Sequence, residues 1–166
     1  MNEELFDVCD SGDNVIGQEI RAEVHARNLL HRAVHIWIWN SAGELLLQRR
    51  TTSKDQFPNC YTSSASGHVD AGEEYAAAAI RELWEELQLR GTLTWGSKLP
   101  ASKQTAYEHT VLFHLQTDEV PHPDAGEIAS IEFLPTAEIA LMVDRTPGDF
   151  TPPFRMLFQE WMSGKR

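Results

Sequence analysis

Three glutamates near the middle of the chain have the residue type and the spacing of a metal site. Glu82, Glu85 and Glu86 are related as i, i+3 and i+4, so on an α-helix their side chains share an arc of about 100°. Carboxylate oxygens grouped in this way suit Mg²⁺ or Mn²⁺, hard cations that prefer oxygen ligands and also bind phosphates. The spacing therefore predicts a site for Mg²⁺ or Mn²⁺ on one face of a helix.

The same acids work against the helix that would carry them. Like charges at i+4 repel by a few tenths of a kcal/mol, and negative charge in a last helical turn opposes the helix dipole by about 0.3 to 1 kcal/mol. The alternative interpretation is an acidic face that is simply solvated. A sequence selected only for folding would place these acids elsewhere, which favours the metal site.

Two neighbouring segments would hold the acids in place. Residues 74–87 have the strongest helical pattern in the chain, with an apolar stripe beside the acids that should be buried: Ala76, Ala79, Ile80, Leu83 and Leu87. Upstream, the loop from Gly67 to Gly72 can bring backbone close to an anionic ligand. The helix and its preceding loop are therefore predicted to form one unit.

Strand-like runs and further helical patterns alternate along the rest of the chain. Strands are predicted at residues 5–8, 15–20, 34–39, 44–48, 61–66, 92–99, 107–115 and 128–134. A short helix is predicted at 136–143, and a last amphipathic helix follows Thr151, whose hydroxyl would cap it ahead of Pro152 and Pro153. Four tryptophans are expected to pack in the core: Trp37, Trp39, Trp84 and Trp95.

Composition limits the classes of partner. The 166 residues carry 14 Lys+Arg against 25 Asp+Glu, a net charge of −11, and the longest basic cluster is Arg49-Arg50. We therefore expect no nucleic-acid polymer as a partner. No apolar run is long enough to span a bilayer, and Cys9 and Cys60 form no CxxC unit. These features predict one cytoplasmic domain over residues 1–166, with no membrane partner and with free thiols.

The segment GHVDAGEEYAAAAIRELWEELQL, residues 67–89, resembles the Nudix box. That motif is Gly, five residues, Glu, seven residues, Arg-Glu-aliphatic, one residue, Glu-Glu, one residue, Gly-aliphatic. Chance accounts for such a match about once in 100,000 chains or less, at the average usage of these residues. One position departs from the motif, because Gln88 stands where the motif has glycine, and this affects how the helix ends.

The resemblance implies an α/β fold, an α/β/α sandwich with a central mixed sheet. It also implies that Glu82, Glu85 and Glu86 bind the divalent cation, with help from the Ser66 or Gly67 carbonyl. Arg81 and Glu73 would form a supporting salt bridge. The implied reaction is attack of water on a diphosphate linked to another group, with Glu108 or Glu127 as the distal carboxylate.

Residues outside the box resemble the isopentenyl-diphosphate isomerase branch of the superfamily. His25, His31 and His68, with Glu108, match ligands of that branch's metal, which implies a second metal site here. By the same likeness Arg50 and Lys54 would bind the substrate diphosphate; the alternative for both is a basic loop beside acidic neighbours.

The isomerase chemistry itself lacks its proton-transfer groups. Ser66 stands at the catalytic cysteine and Thr110 at the second glutamate, and neither side chain replaces the group it substitutes. The best interpretation is a metal-dependent hydrolase of nucleoside di- or triphosphates or related derivatives, a small phosphorylated substrate. An isomerase and a non-catalytic nucleotide sensor are the alternatives. A homodimer is an open expectation, and His35 is interpreted as a core or sheet-face residue rather than a ligand.

Overall fold

The computed structural model describes residues 4–164, in nine strands and four α-helices. The strands are β1 (Leu5–Cys9), β2 (Val15–Ile20), β3 (His31–Trp39), β4 (Leu45–Arg50), β5 (Tyr61–Thr62), β6 (Ala65–His68), β7 (Thr94–Leu99), β8 (Glu108–Gln116) and β9 (Ile128–Leu134). The helices are α1 (Arg21–Ala26), α2 (Tyr75–Leu87), α3 (Thr136–Arg145) and α4 (Pro152–Gly164).

The central sheet is mixed, as expected. Its strand order is β5-β4-β3-β8-β7, with β6 added to β3 and β9 added to β4. β3 and β8 run parallel, whereas the other pairs in this sheet are antiparallel. β1 and β2 form a separate antiparallel hairpin, as residues 5–8 and 15–20 predicted.

β3 and β4 separate from each other soon after they begin to pair, and this separation lies next to the site. These strands share only the pair Trp39 and Leu45, because β3 then pairs with β6 while β4 pairs with β5. The Ser64 hydroxyl spans the separation: it accepts from the Ile38 N–H at 2.9 Å and donates to the Leu46 carbonyl at 2.6 Å. One continuous strand at 61–66 was therefore a wrong prediction, because Ser63 and Ser64 carry the chain from one strand to the other.

Helices cover both faces of the sheet and complete the three layers. On one face α2 packs its apolar side against β3 and β8, through Ala78, Ala79, Leu83 and Leu87. Ala76 and Ile80, which were expected in this stripe, are exposed, whereas Ala78 is buried. On the other face α4 packs Phe154, Leu157 and Phe158 against Trp37, and α3 adds Ile139.

Local signals set the ends of the two long helices. The Thr151 hydroxyl accepts from the Phe154 N–H at 3.4 Å, which confirms the predicted cap of α4. α2 ends at Leu87, and Gln88 adopts the left-handed conformation (φ 54°, ψ 40°) that glycine has in the motif. α1 was missed, because its six residues are too few to show a helical period.

Two expectations from composition can be compared with the fold. Cys9 and Cys60 are free, as predicted. Among residues 4–164, no helix combines the length and the apolar character needed to cross a bilayer.

Candidate active site

An arginine at the start of the acidic face ties the helix to its preceding loop. Arg81 donates to both carboxylate oxygens of Glu73 at 2.9 Å, and to the His68 carbonyl at 3.0 Å. The Glu73 carboxylate also accepts from the Asp70 N–H at 3.0 Å. The paired geometry needs a planar guanidinium, so Arg81 and Glu73 fix the loop against α2 as the motif implied.

Glu82 fills the space that a side chain at residue 67 would occupy. A Cβ built on Gly67 would overlap the Glu82 carboxyl group, with even Oε1 only 2.6 Å away. Gly67 does not adopt a positive φ, so the requirement for glycine here is one of space rather than of backbone conformation. The other nitrogen of the Arg81 fork donates to Glu82 at 2.9 Å and to Glu85 at 3.3 Å.

Glu86 is buried at the base of the same face. Its Oε1 accepts from the Gln48 amide and from the Ser66 N–H, both at 3.1 Å. Glu85 differs from its neighbours because its side chain is more than half exposed. The cluster therefore consists of two sheltered carboxylates with fixed partners and a third that reaches solvent.

The two sheltered acids are held close together against their own repulsion. Burial raises the pKa of Glu82, and the charges of Glu86 and Glu85 raise it further. Burial also raises the pKa of Glu86, although the bonds from Gln48 and Ser66 oppose the shift. Burial and mutual repulsion raise the pKa of such carboxylates, so they ionise most easily when a cation lies between them.

A polar cleft of about 520 Å³ opens beside the cluster and contains Glu82, Glu85 and Glu86 in its wall. The predicted diphosphate ligands line it as well. Arg50 donates twice to the Gln56 carbonyl, at 3.1 and 2.9 Å, and has no carboxylate partner among the described residues. Burial lowers the pKa of the Arg50 guanidinium, an effect opposed by Glu86, Glu108 and Glu127.

Lys54 and Glu127 meet across this cleft in an ion pair. Both side chains were predicted to belong to the site, Lys54 as a phosphate ligand and Glu127 as the distal carboxylate. Glu127 precedes β9, which pairs with β4 and so brings the two residues to the same end of the sheet. The pair places a carboxylate and an ammonium group beside the acidic face of α2. Glu127 and the acids of this face also line a second, smaller cavity.

The three predicted histidines form a separate cluster: His68 lines the cleft, whereas His25 and His31 line a smaller cavity of about 150 Å³. One ring nitrogen each of His25, His31 and His68 lies within 4.8 Å of the others. His31 Nδ1 donates to the Leu29 carbonyl at 2.8 Å, so neutral His31 presents a lone pair on Nε2. His25 Nε2 and His31 Nε2 are both buried without a hydrogen-bond partner among the described residues, and the Glu108 carboxylate lies 3.7 Å from His31 Nε2. Burial lowers the pKa of His25 to about 4.

Glu108 belongs to this histidine cluster. The parallel register of β3 and β8 sets it opposite His31, and its carboxylate lies 3.0 Å from His68 Nε2. Burial would raise its pKa, but the bond from His68 and the nearby His31 ring hold the pKa well below the usual range. Thr110 follows on the same strand with its hydroxyl bonded to the Glu108 carbonyl at 3.1 Å, so it adds no carboxylate.

His35 is buried and hydrogen-bonded, as interpreted from the sequence, and it also lines the cleft. Two tryptophans lie where the sequence did not lead us to expect them. Trp84 was expected in the core and is 42% exposed, with Arg90 stacked 4.0 Å above its ring; Trp95 is exposed as well. Alternation along β3 could have identified His35, because it lies on the same strand face as the predicted ligand His31.

The mixed sheet between helices and the three acids on α2 are the features expected of a Nudix protein, and comparison with known proteins supports this class. The family model of the NUDIX domain matches residues 29–154. The chain belongs to the Nudix family, and is a Nudix hydrolase by family.

Relatives and solved structures are similar to this protein over most of its length. An isopentenyl-diphosphate Delta-isomerase of Pectobacterium atrosepticum is 33% identical over 91% of this chain and 87% of its own. A prenyl-diphosphate phosphatase of Methanosarcina mazei is 32% identical over 91% of each chain. A crystal structure from Deinococcus radiodurans, at 28% identity, matches with a TM-score of 0.75 over 86% of this chain and 90% of that one.

Proposed function

We propose that this protein hydrolyses a diphosphate linkage in a nucleoside di- or triphosphate or a related nucleotide derivative, with Mg²⁺ or Mn²⁺ as cofactor. The observation that carries the proposal is the position of three helical carboxylates, Glu82, Glu85 and Glu86, in the wall of a cleft that also contains Arg50. Carboxylates and an arginine without an acidic partner complement a cation and a phosphate chain in one cleft.

The donor set fits a hard divalent cation. Glu82 and Glu86 are buried next to each other, their pKa values are raised, and Arg81 contacts Glu82 but not Glu86. When bound, such a cation neutralises charge on the phosphoryl oxygens and lowers the pKa of a water molecule. The Gly67 carbonyl, next to the space filled by Glu82, is the predicted backbone ligand.

The basic residues of the site orient its acids and bind the substrate diphosphate. Arg81 orients Glu82 and Glu85 through its third nitrogen while Glu73 holds the rest of its guanidinium. Arg50 is the first diphosphate ligand, because its guanidinium lines the cleft and bonds, among the described residues, only to the Gln56 carbonyl. Lys54 is the second, and binding of a phosphate to it would free Glu127 to accept a proton from the attacking water.

We assign a second cation site to His25, His31 and His68, with Glu108. The fit is chemical: buried His25 Nε2 and His31 Nε2 have no hydrogen-bond partner among the described residues, and imidazole nitrogens with one carboxylate suit a transition metal. Among the described residues, none of Glu82, Glu85 and Glu86 bonds to these rings; their carboxylate partner is Glu108. Its role is proposed as structural or substrate-positioning.

One assay decides the proposal. The purified protein is incubated with Mg²⁺ or Mn²⁺ and a panel of nucleoside di- and triphosphates, dinucleotide polyphosphates, nucleotide sugars and isopentenyl diphosphate, and released phosphate, pyrophosphate and isomer are measured. We expect hydrolysis that Glu85→Gln and Glu86→Gln each reduce at least 100-fold. Glu74→Gln, at the N-terminal end of the same helix, is the control and should retain activity. Absence of release from every member, or full activity in both site variants, would contradict the proposal.

Prenyl diphosphates are the second candidate substrates. The observation in favour is the named prenyl-diphosphate phosphatase, which matches 91% of this chain. Phosphate release from isopentenyl diphosphate without release from nucleotides would select this candidate. Formation of dimethylallyl diphosphate would select the isomerase, which Ser66 and Thr110 argue against. A homodimer stays a prediction that light scattering can check.

A further inference from the structure

His35 is a buried polar residue of the cleft that the proposed hydrolysis does not use. It is 4% exposed and shares the cleft-side face of β3 with His31 and Ala33, because alternate residues of a strand share a face. Its partner across the sheet is Ser66, whose N–H bonds to Glu86. His35 therefore lies one strand away from the acidic cluster.

Hydrogen bonds on the inner side of the ring define its tautomer. The Ser63 hydroxyl lies 2.6 Å from His35 Nδ1 and accepts from the Trp37 indole N–H at 2.8 Å. Ser63 is fully buried, and its hydroxyl has no other partner among the described residues. Its single proton must therefore go to His35 Nδ1, since the opposite arrangement would leave that buried proton unbonded. The neutral ring then carries its own proton on Nε2.

The charge state agrees with this assignment. Burial lowers the pKa of His35 to about 4, and the nearby Arg50 charge acts in the same direction. Nε2 has no partner among the described residues, and it is not enclosed in the way that His25 Nε2 and His31 Nε2 are. A fixed N–H donor without a protein acceptor thus faces the cleft.

The adjacent floor of the cleft is polar as well. Thr62 and Thr151 are among the residues that line the cleft, and their hydroxyls lie 2.8 Å apart. One of their two protons satisfies that contact and the other is left for a further acceptor. The apolar side chains of the lining are few: Ala33, Phe57, Ala106 and Pro153. A hydrocarbon chain on this floor would leave donors unbonded, at about 1 to 3 kcal/mol for each.

We propose that His35 is a specificity-determining residue, whose Nε2–H donates a hydrogen bond to a hydroxyl oxygen on the organic part of the substrate. The inference rests on the proposed function and narrows it: the cleft selects a hydroxylated group, such as ribose, over a prenyl or deoxygenated one. Ser63 and Trp37 are positioning residues that keep the ring in the donating tautomer.

A pair of variants separates the two nitrogens of the ring. In His35→Asn the shorter amide reaches Ser63 but offers no donor at the position of Nε2, whereas in His35→Gln the longer amide reaches that position. The probes are ADP, CDP, GDP and UDP with their 2′,3′-dideoxy forms, in Mg²⁺. We expect the wild type to prefer the hydroxylated form about 5- to 100-fold in kcat/KM. His35→Asn should lose this preference through a lower kcat/KM on the hydroxylated forms, and His35→Gln should recover part of it.

Further measurements keep this inference separate from the proposed function. If the wild type hydrolyses no nucleotide, the proposed function fails, and calorimetric binding of ADP and dideoxy-ADP to wild type and His35→Asn then tests His35 alone. Ser63→Ala, which retains the ring but frees its tautomer, should lower the preference if His35→Asn does not fold. ¹⁵N NMR of the wild type should show His35 protonated on Nε2. Protonation on Nδ1, or a preference for ADP that His35→Asn leaves unchanged, would overturn the inference.

Discussion

The contact between Gly67 and Glu82 gives the sharpest test of how the acidic face is built. Gly67→Ala adds a single methyl group at a φ that alanine tolerates. The methyl would meet the Glu82 carboxyl group, with Oε1 at 2.6 Å, where ordinary van der Waals contact begins at 3.4 Å. The carboxyl group must therefore retreat by about 1 Å, because the backbone of β6 is held by its pairing with β3.

The displacement has consequences that can be measured separately. Moving a catalytic group by about 1 Å typically lowers the rate about 100-fold, so kcat for diphosphate hydrolysis and the affinity for Mn²⁺ should both fall. Overpacking should also lower the free energy of unfolding by about 1 to 3 kcal/mol, measured in urea with EDTA present. Gly17→Ala is the matched control, since nothing lies within 4 Å of a Cβ built there.

A double-mutant cycle identifies the cause of the destabilisation. If the clash is with Glu82, then Glu82→Ala should remove it, and Gly67→Ala should become nearly neutral in that background. The expected coupling energy is at least about 1 kcal/mol. A Gly67→Ala protein with wild-type Mn²⁺ affinity and rate, or with the same destabilisation in both backgrounds, would refute the reasoning.

Three further predictions follow from the same helix. Gln88→Gly should raise the free energy of unfolding by about 0.5 to 1 kcal/mol, because residue 88 has φ 54° and glycine adopts this conformation without a Cβ penalty; Gln88→Ala should give no such gain in the same urea titration. Arg81→Lys should lower stability by about 1 to 3 kcal/mol and weaken Mn²⁺ binding measured by calorimetry, because an ammonium group cannot make the paired bonds to Glu73; unchanged values would contradict the role of Arg81. Glu82→Gln should stabilise the metal-free protein at pH 8 but not near pH 5: the folded pKa of Glu82 is raised, so its ionisation opposes folding as pH rises above the unfolded value of about 4.5. An equal difference in the free energy of unfolding between variant and wild type at both pH values, measured in urea titrations, would show that folding does not raise the pKa of Glu82.

The parts of the site that the sequence predicted are those that a local pattern encodes. Glu82, Glu85 and Glu86 share a face because of helical periodicity alone, and the Arg81–Glu73 pair spans two turns of the same unit. The mixed sheet between helices was implied by the resemblance to the Nudix box, and the order of strand-like and helical runs was compatible with it. Ile80 shows the limit of helical periodicity as a predictor. A helical wheel gives the direction of an apolar stripe, but it does not show how much of the helix circumference the neighbouring sheet covers.

Features that depend on how distant strands meet were not predicted. Nothing in residues 61–66 shows that β3 and β4 separate, so the turn at Ser63 and Ser64 was interpreted as strand. His35 lies on the same face of β3 as Trp37, which packs against α4, but His35 lines the cleft. The prediction for Trp84 was wrong because its hydrophobicity favoured the core, whereas it lies on the exposed side of α2 with Arg90 stacked on its ring.

Strand register also decides which ligands belong together. Glu108 was predicted as a metal ligand, first as a distal carboxylate for the box acids and also beside the histidines. The parallel pairing of His31 with Glu108 brings its carboxylate to the rings of His31 and His68. Glu127, in contrast, pairs with Lys54 next to the acidic face. The two carboxylates therefore serve two clusters of different chemistry, one of oxygen donors and one of imidazoles, and this division makes Glu127 rather than Glu108 the stronger candidate for the base in hydrolysis.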